Sequence, residues 1–459
     1  MQELGKRIHP PVKALNILKV LRENGYEGYV VGGCVRDSVL GREPKDWDIT
    51  TNAPPSAVRE LFPKTVDTGL KHGTVTVMED GEPFEVTTFR IDGGYSDGRR
   101  PDRVEFTRSL EEDLRRRDFT MNAMAWNEER GIVDPFGGME DIASGIIRAV
   151  GEPEERFGED SLRILRAVRF AARLDFAVED ATLKAAAAKS SLISNVSGER
   201  IREELTGILT SGHPGKLALL RDMGVLGRIL PEVEACFHTA QNNPHHAYNV
   251  GEHSLRAVGA CVNDKCLRWA MLLHDAGKAV TRTTDEKGID HFYGHPAKSV
   301  ELAKGILDRL RFDNRSADRI LRLISHHDRD IALSPKAVAK AVNAVGEDIF
   351  TDLLNVKRAD VSAQNPKDVE KGLLYVDRIE AVYNRLKEEN ACLGRKDLAI
   401  NGDDLIGMGF EQGRGVGRTL GLLFEKVLEN PALNKKECLT ELAEELLLKQ
   451  RGNRPPSGK

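Results

Sequence analysis

Apolar residues recur at helical spacing from Val12 to Asn24, which predicts a first amphipathic helix. The pattern then changes. Tyr29-Val30-Val31 is a short apolar run ending on Gly32-Gly33, and a short helix carrying Arg36 and Asp37 is expected after it. Asp46-Trp47-Asp48-Ile49 alternates polar and apolar positions. Alternation predicts a strand, with Asp46 and Asp48 facing one way. The stretch from His72 to Arg90 holds two alternating runs around Glu79-Asp80-Gly81 and predicts a β-hairpin. Ile91 to Glu105 is rich in Gly, Asp and Arg, has no period and predicts a loop. Leu162, Leu165, Val168 and Ala172 form an apolar stripe on one further helix. Helical patterns continue from Ala181 to Pro214, from Leu217 to about Leu393, and from Lys396 to Leu448. The pattern divides the chain into an N-terminal α+β part (1–150), a helical neck (151–214), a helical body (215–393) and a helical tail (394–459) whose last residues, GNRPPSGK, are expected to be disordered.

Composition narrows the classes. The 459 residues are 40% hydrophobic and 30% charged, ordinary for a globular protein and too many for a single core. No stretch is long and apolar enough to span a bilayer, so no membrane partner is expected. MQELGKRIHPP has no apolar core of a signal peptide, and six scattered cysteines lack CxxC spacing; both point to a cytoplasmic protein with reduced thiols. Cys34 is read as a small buried residue. The net charge of −5 argues against broad nucleic-acid binding, so any RNA surface must be local. Arg99, Arg100, Arg103, Arg108 and Arg115-Arg116-Arg117 form one basic cluster; Arg156, Arg163, Arg166, Arg169 and Arg173 form another. Such clusters are commonly solvated faces, but these lie beside the candidate chemistry and are expected to touch phosphate.

That chemistry starts at Gly32-Gly33, where a backbone without side chains lets N–H groups approach phosphate. Asp46 and Asp48 on one side would repel unless a cation lay between them, and magnesium is held by one or two carboxylates plus substrate phosphates. A lone Gly-Gly is more often a turn, and a lone Asp-x-Asp is commonly a strand edge. Together in one strand-helix-strand unit they point to two-metal nucleotidyl transfer. GGCVRD followed by KDWDITTNAPP resembles the nucleotidyltransferases of DNA polymerase β type. More narrowly it resembles the class II tRNA nucleotidyltransferases, or CCA-adding enzymes, and their relatives the bacterial poly(A) polymerases. The resemblance implies a mixed-sheet head with helices, Mg²⁺ held by Asp46 and Asp48, and Glu85 on the second hairpin strand as a third catalytic carboxylate. It implies that the loop at 91–105 serves addition of the terminal A. Arg117-Asp118-Phe119-Thr120-Met121-Asn122-Ala123 matches the family's RRDFTxNA motif. By that match Arg117, Asp118 and Asn122 would recognise ribose and triphosphate, alongside Gly32, Gly33 and Arg36.

Glu159-Asp160-Ser161-Leu162-Arg163 matches the family's EDxxR motif. Asp160 and Arg163 are expected on one helix face, where the plain alternative is a salt bridge of about 0.2–0.5 kcal/mol. A carboxylate accepts from an exocyclic amine and a guanidinium donates to ring acceptors. Cytosine and adenine both present that pair; uracil and guanine lack the amine beside the acceptor. Asp160 and Arg163, with Arg166 beside them, would thus bind CTP and ATP without a nucleic-acid template, as the family is understood to do.

The body carries a second constellation. His253, His274-Asp275 and Asp360 suit a divalent metal, and His295 and His326 could serve a second metal or phosphate. The H…HD…D pattern resembles the HD phosphohydrolases, which implies His253, His274, Asp275 and Asp360 as metal ligands. In the tail, Gly413, Gly415 and Gly417 precede a helix that could hold an RNA phosphate, although this pattern is more often a flexible turn. The resulting expectation is a template-independent enzyme adding CMP and AMP to the 3′ end of tRNA, with HD hydrolysis as an accompanying activity. The rivals are a poly(A) polymerase or A-adding enzyme, an HD phosphohydrolase whose head binds RNA, and a non-enzymatic RNA-binding module. Oligomeric state is not legible.

Overall fold

A computed structural model describes residues 8–69, 72–94, 103–242 and 247–452. The chain divides into two compact units, Met1–Glu234 with Asp308–Phe312, and Ala235–Leu307 with Asp313–Lys459.

The first unit opens on α1 (Val12–Glu23), whose Ala14, Ile17, Leu18 and Leu21 are buried at the predicted spacing. Seven strands form one mixed sheet in the order β3-β4-β5-β2-β1-β8-β9. They are β1 (Gly28–Val31), β2 (Ile49–Thr51), β3 (Thr65–Gly69), β4 (Thr74–Glu79), β5 (Glu82–Thr88), β8 (Ala125–Asn127) and β9 (Gly131–Val133). The β2–β5 pair is parallel, and the other pairs are antiparallel. The predicted hairpin is β4–β5. Asp80 (φ 46°) and Gly81 (φ 81°) both take positive φ at its turn, as a two-residue connection requires.

Two expectations change here. Asp46 and Asp48 do not lie in a strand: β2 begins at Ile49, and the two aspartates are the extended lead-in. Asp48 still follows the sheet, because its carbonyl accepts from the Val31 N–H at 3.0 Å. The aperiodic stretch 91–105 carries a strand at each end, where β6 (Arg90–Gly93) pairs with β7 (Arg103–Phe106). Residues 95–102, with Arg99 and Arg100, lie outside the described residues.

Helices follow the sheet strands. α2 (Gly33–Val39) leaves β1, α3 (Pro55–Leu61) follows β2, and α4 (Leu110–Arg115) precedes the RRDFT stretch. α5 (Gly138–Ser144) starts where the Asp134 carboxylate accepts from the Gly138 and Met139 N–H groups, both at 2.8 Å. Gly138 packs on the Thr120 carbonyl with no room for a Cβ, so the Asp134-Pro135-Phe136-Gly137-Gly138 turn holds the RRDFTMNA segment in place. The neck comprises α6 (Pro153–Glu159), α7 (Leu162–Leu174), α8 (Asp180–Ala188) and α9 (Gly198–Leu209). All four predicted stripe residues of α7 are buried, with Ala167, Phe170 and Ala171 packing into the head core.

The second unit is helical. Its HD residues sit on or beside α10 (Val250–Ala260), α11 (Lys265–Leu273), α12 (Asn314–His326) and α13 (Glu347–Ser362). Beyond α14 (Pro366–Glu388), the tail builds its own core around Leu405, Phe410, Leu423, Phe424 and Leu439, between α15 (Arg414–Glu429) and α16 (Lys436–Gly452). Of the three tail glycines only Gly413 precedes α15; Gly415 and Gly417 lie within it. The tail residues 453–459 lie outside the described residues.

Leu165 is fully buried at the centre of the α7 stripe. Leu165→Ala is expected to destabilise the first unit by about 2–5 kcal/mol, read from the urea midpoint.

Candidate active site and candidate metal centre

The Gly32 corner sets the geometry. Gly32 takes φ +80°, and a Cβ there would stand 2.8 Å from Arg117 Nη1. Only glycine lets the β1–α2 turn and the Arg117 guanidinium share this space. The Gly32 N–H is already donated to the Met124 carbonyl at 3.0 Å, so it is not free to bind phosphate as expected.

Asp46, Asp48 and Glu85 line one cavity with Lys45, Trp47, Thr68 and Thr76. Burial raises the pKa of Asp48, Arg117 opposes the rise, and Glu85 and Asp46 add to it. The three carboxylates are therefore electrostatic neighbours, although Asp46 and Asp48 reach the cavity from the lead-in to β2 and not from the alternating strand expected. Among the described residues they do not form a cluster with all its oxygens within 4.8 Å. Mutually repelling carboxylates beside an open cavity fit a cation, which would relieve that repulsion.

A second cavity, of about 250 Å³, is lined by Arg116, Arg117, Asp118, Asp160, Leu162, Arg163, Arg166 and Arg200. Arg117 connects it to the carboxylates. Its guanidinium is buried, its Nε has no hydrogen-bond partner among the described residues, and burial lowers its pKa while Asp113, Asp48 and Asp118 support its charge. An orphaned buried donor of this kind suits an anionic ligand.

Asp160 and Arg163 both reach this cavity, but not from one helix. Asp160 ends α6 with extended backbone (φ −140°, ψ 101°), and Arg163 lies in the first turn of α7. They are not paired with each other. Asp160 Oδ1 accepts from the Leu162 N–H at 3.1 Å, and Oδ2 meets Arg200 Nη2 at 2.9 Å. Arg163 Nη1 donates to Glu159 at 2.6 Å and to the Arg156 carbonyl at 3.1 Å, and Nη2 donates to the Arg116 carbonyl at 2.9 Å. Three of its five donors are used, which leaves Nε–H and one Nη2–H.

Asp118, Asn122, Arg36 and Arg166 hold one another. Arg166 donates through Nε and Nη2 to Asp118 Oδ2 at 2.8 and 2.6 Å. Asp118 Oδ1 accepts from the Phe119 N–H and from Asn122 Nδ2. Asn122 Oδ1 accepts from Arg36 Nη1 at 2.5 Å, and Arg36 also pairs with Asp37. Burial would raise the Asp118 pKa, yet Arg166 and Asn122 hold it well below the usual range. Arg36 and Asn122, expected as direct nucleotide contacts, are buried inside this network.

The second unit brings its expected ligands together. His253 Nε2 lies 2.9 Å from Asp360 Oδ1 and 3.6 Å from Asp275 Oδ2; His274 Nε2 lies 3.3 Å from Asp275 Oδ2 and 3.7 Å from Asp360 Oδ1. On the other carboxylate oxygen, Asp275 Oδ1 faces His295 at 3.4 Å and His327 at 3.6 Å. The residue here is His327, not His326. Ile320, Leu323 and Ile324 mark the buried face of α12, and 327 continues that face while 326 turns from it; this periodicity was available in the sequence. All four Nδ1 atoms face backbone carbonyls, those of Ala363, Met271, Phe292 and Ile324. A carbonyl only accepts, so each neutral ring keeps its proton on Nδ1 and turns an Nε2 lone pair inward. His274 Nε2 is buried between the Asp275 and Asp360 carboxylates. Burial opposes its protonation, yet Asp275 and Asp360 raise its pKa to about 10. The centre therefore favours positive charge, and its two groups, His253-His274-Asp275 and Asp275-His295-His327, share one carboxylate. Lys278 also meets Asp275 Oδ2, at 2.8 Å, and Gln241 at 2.9 Å, contacts the sequence did not foretell.

Comparison with known proteins adds to this geometry. Residues 28–148 match the family described as "Poly A polymerase head domain", 175–237 match "Probable RNA and SrmB- binding site of polymerase A", and 245–365 match "HD domain". The CCA-adding enzyme of Geobacillus thermodenitrificans is 37% identical over 437 residues, covering 93% of this chain and 95% of the relative. That of Limosilactobacillus reuteri is 34% identical over 434 residues, covering 94% and 95%. The crystal structure of the Bacillus stearothermophilus CCA-adding enzyme in complex with CTP superposes with a TM-score of 0.71 at 31% identity, covering 97% of this chain and 100% of that one.

Asp48 gives a pH-dependent expectation. Its pKa is raised in the folded chain, so its charge destabilises the fold above the folded pKa, and the penalty disappears below the unfolded value near 4. Asp48 is largely exposed, so solvent screens its charge and the effect is small: in metal-free protein Asp48→Asn should melt slightly above wild type at pH 7.5, and the gain should shrink as pH falls toward 4. Added Mg²⁺ should stabilise the wild type more than the variant.

Proposed function

The chain belongs to the CCA-adding enzyme family, and from that membership we propose how its residues carry the reaction. It is a tRNA nucleotidyltransferase that adds CMP and AMP from CTP and ATP to the tRNA 3′ end. The tRNA 3′ hydroxyl attacks the α-phosphorus, a new P–O bond forms, and pyrophosphate leaves.

The observation that carries the residue assignment is the position of Arg117 between the Asp46–Asp48–Glu85 carboxylates and the Asp160–Arg163 pocket. We assign Asp46 and Asp48 to a divalent cation, taken to be Mg²⁺, with Glu85 as the third carboxylate. When bound, the metal supplies activation of the attacking hydroxyl and charge neutralisation on the triphosphate. Arg117, with its orphaned Nε–H, holds the triphosphate. Asp160 accepts the exocyclic amine of cytosine or adenine, and the free donors of Arg163 meet the ring acceptor. Arg36, Asn122, Asp118 and Arg166 fix the frame around them rather than each contacting substrate.

The domain plan that goes with this reading is head 1–150, neck 151–214, HD body 215–393 and tRNA-binding tail 394–459. The six cysteines are all free, which supports a reducing cytoplasmic location, and no described helix is long and apolar enough to cross a membrane. A second activity is favoured by the inward Nε2 atoms of four histidines around Asp275 and Asp360. They fit a divalent-metal centre, which would be held by His253, His274, Asp275, His295, His327 and Asp360 and would supply Lewis-acid chemistry for phosphoester hydrolysis.

Asp48→Ala is expected to fold and to lose at least about 100-fold in transfer of CMP and AMP to tRNA; wild-type transfer would overturn the metal assignment. Asp275→Asn is expected to lose most of the transition metal retained by purified protein after dialysis, measured by elemental analysis, while CMP addition stays within about twofold. Full metal retention would refute the HD assignment.

A further inference from the structure

Asp160 stands at the break between two helices, its N–H donated to the Arg156 carbonyl at 3.4 Å and its carbonyl accepting from the Arg163 N–H at 3.0 Å. It caps α6 in extended conformation, directly after Gly158-Glu159 and before the turn into α7. Its side chain is oriented by two hydrogen bonds, one from the local Leu162 N–H and one from Arg200 on α9. Arg200 is forty residues distant in sequence, lines the same cavity, and is mostly buried on its side-chain surface (20% exposed, against 17% for Asp160).

The placement of Arg200 is itself well determined. α9 begins at Gly198, which packs against the Arg309 carbonyl where a Cβ has no room. One turn beyond Arg200, Glu204 is buried and accepts from Arg169 Nε of α7 at 2.5 Å. Arg169 lies across the Phe170 ring at 4.5 Å, and Gly207 leaves space for its stem. Two ion pairs of opposite sense thus join α9 to the α6–α7 segment: base on α9 to acid at 160, and acid on α9 to base at 169. The second pair fixes the helices to each other. The first ends on the one carboxylate assigned to the incoming base.

We propose that Arg200 is a positioning residue for nucleotide choice: it holds the Asp160 carboxylate in the orientation that accepts an exocyclic amine. This rests on the reading of Asp160 given above. Uridine presents a carbonyl oxygen at the position of the cytosine amine, so a fixed carboxylate repels it. A carboxylate free to rotate swings away and loses that discrimination. Arg200 need not touch the nucleotide to exert this effect.

The test compares CTP with UTP as kcat/KM on tRNA ending at the discriminator base, for wild type, Arg200→Gln, Arg200→Lys, Glu204→Gln and Asp160→Ala, with folding checked by thermal melting. Arg200→Gln is expected to lower the CTP-over-UTP ratio about tenfold. Arg200→Lys should fall between it and wild type, because ammonium keeps the charge without the planar fork. Glu204→Gln should lower the melting temperature and lower the ratio clearly less than Arg200→Gln, since it loosens α9 but leaves the Arg200–Asp160 contact in place. If Arg200→Gln does not fold, Arg200→Lys carries the comparison. An unchanged ratio in the Arg200 variants, or an equal fall in Glu204→Gln, would overturn the proposal. Asp160→Ala separates the two levels. If it lowers the ratio while the Arg200 variants do not, only the positioning claim fails; if it too leaves the ratio unchanged, the assignment of Asp160 to the base fails.

Discussion

The part-buried contact between Asp118 and Arg166 is the constraint on which the proposed nucleotide site depends. Asp118 belongs to the segment held by the sheet and α5; Arg166 belongs to α7 in the neck. Desolvating the carboxylate of such a pair is costly, and it is tolerated when its remaining lone pairs are satisfied. Those of Asp118 are, while the Arg166 side chain keeps about a third of its surface (34%) in solvent. The Phe119 N–H and Asn122 take the other Asp118 oxygen, Asn122 continues to Arg36, and the Arg36, Arg166 and Arg169 guanidinium groups gather around Phe170 at 5.1, 5.5 and 4.5 Å. The network fixes α7 against the head, and α7 carries Arg163. On the proposed assignment, the distance between the groups meant for phosphate and for base is thereby set by protein alone, which is what selection without a template requires.

Much of this was legible in the sequence. The β4–β5 hairpin followed from alternation around Asp80-Gly81, and the α7 stripe from spacings of three and four, because both periods reflect burial on one face. The candidate residues of the head and neck motifs were also found. Their division of labour was not. Residue type identifies Asp118 and Asn122 as hydrogen-bonding groups, but only the fold shows that each spends its capacity on a neighbour. Asp160 and Arg163 were legible as a pair by spacing and motif, yet the helix breaks between them. Asp160 is held by Arg200, far away in sequence, and local periodicity cannot report such a partner. His327 is different: the phase of Ile320, Leu323 and Ile324 already distinguished it from His326.

The second unit applies the same principle to a different end. Four imidazoles are oriented by backbone carbonyls, so their inward nitrogens are preset before any ion arrives. Asp275 turns one oxygen to each histidine pair. Two cation-seeking centres in one chain, one of largely exposed carboxylates at an open cavity and one of buried histidines, suit different chemistry. The first leaves room for a bulky ligand; the second encloses its ligands.

The central claim is that one protein-lined pocket admits both cytosine and adenine and that addition stops at a defined length. The most direct measurement uses the purified chain with Mg²⁺ and tRNA ending at the discriminator base, at C or at CC. CTP, ATP or both are supplied, and products are resolved at single-nucleotide length. The account predicts stepwise extension of every substrate to CCA and no further. Addition of A alone to the CC substrate, a long ladder of A, or no extension from any end would contradict it.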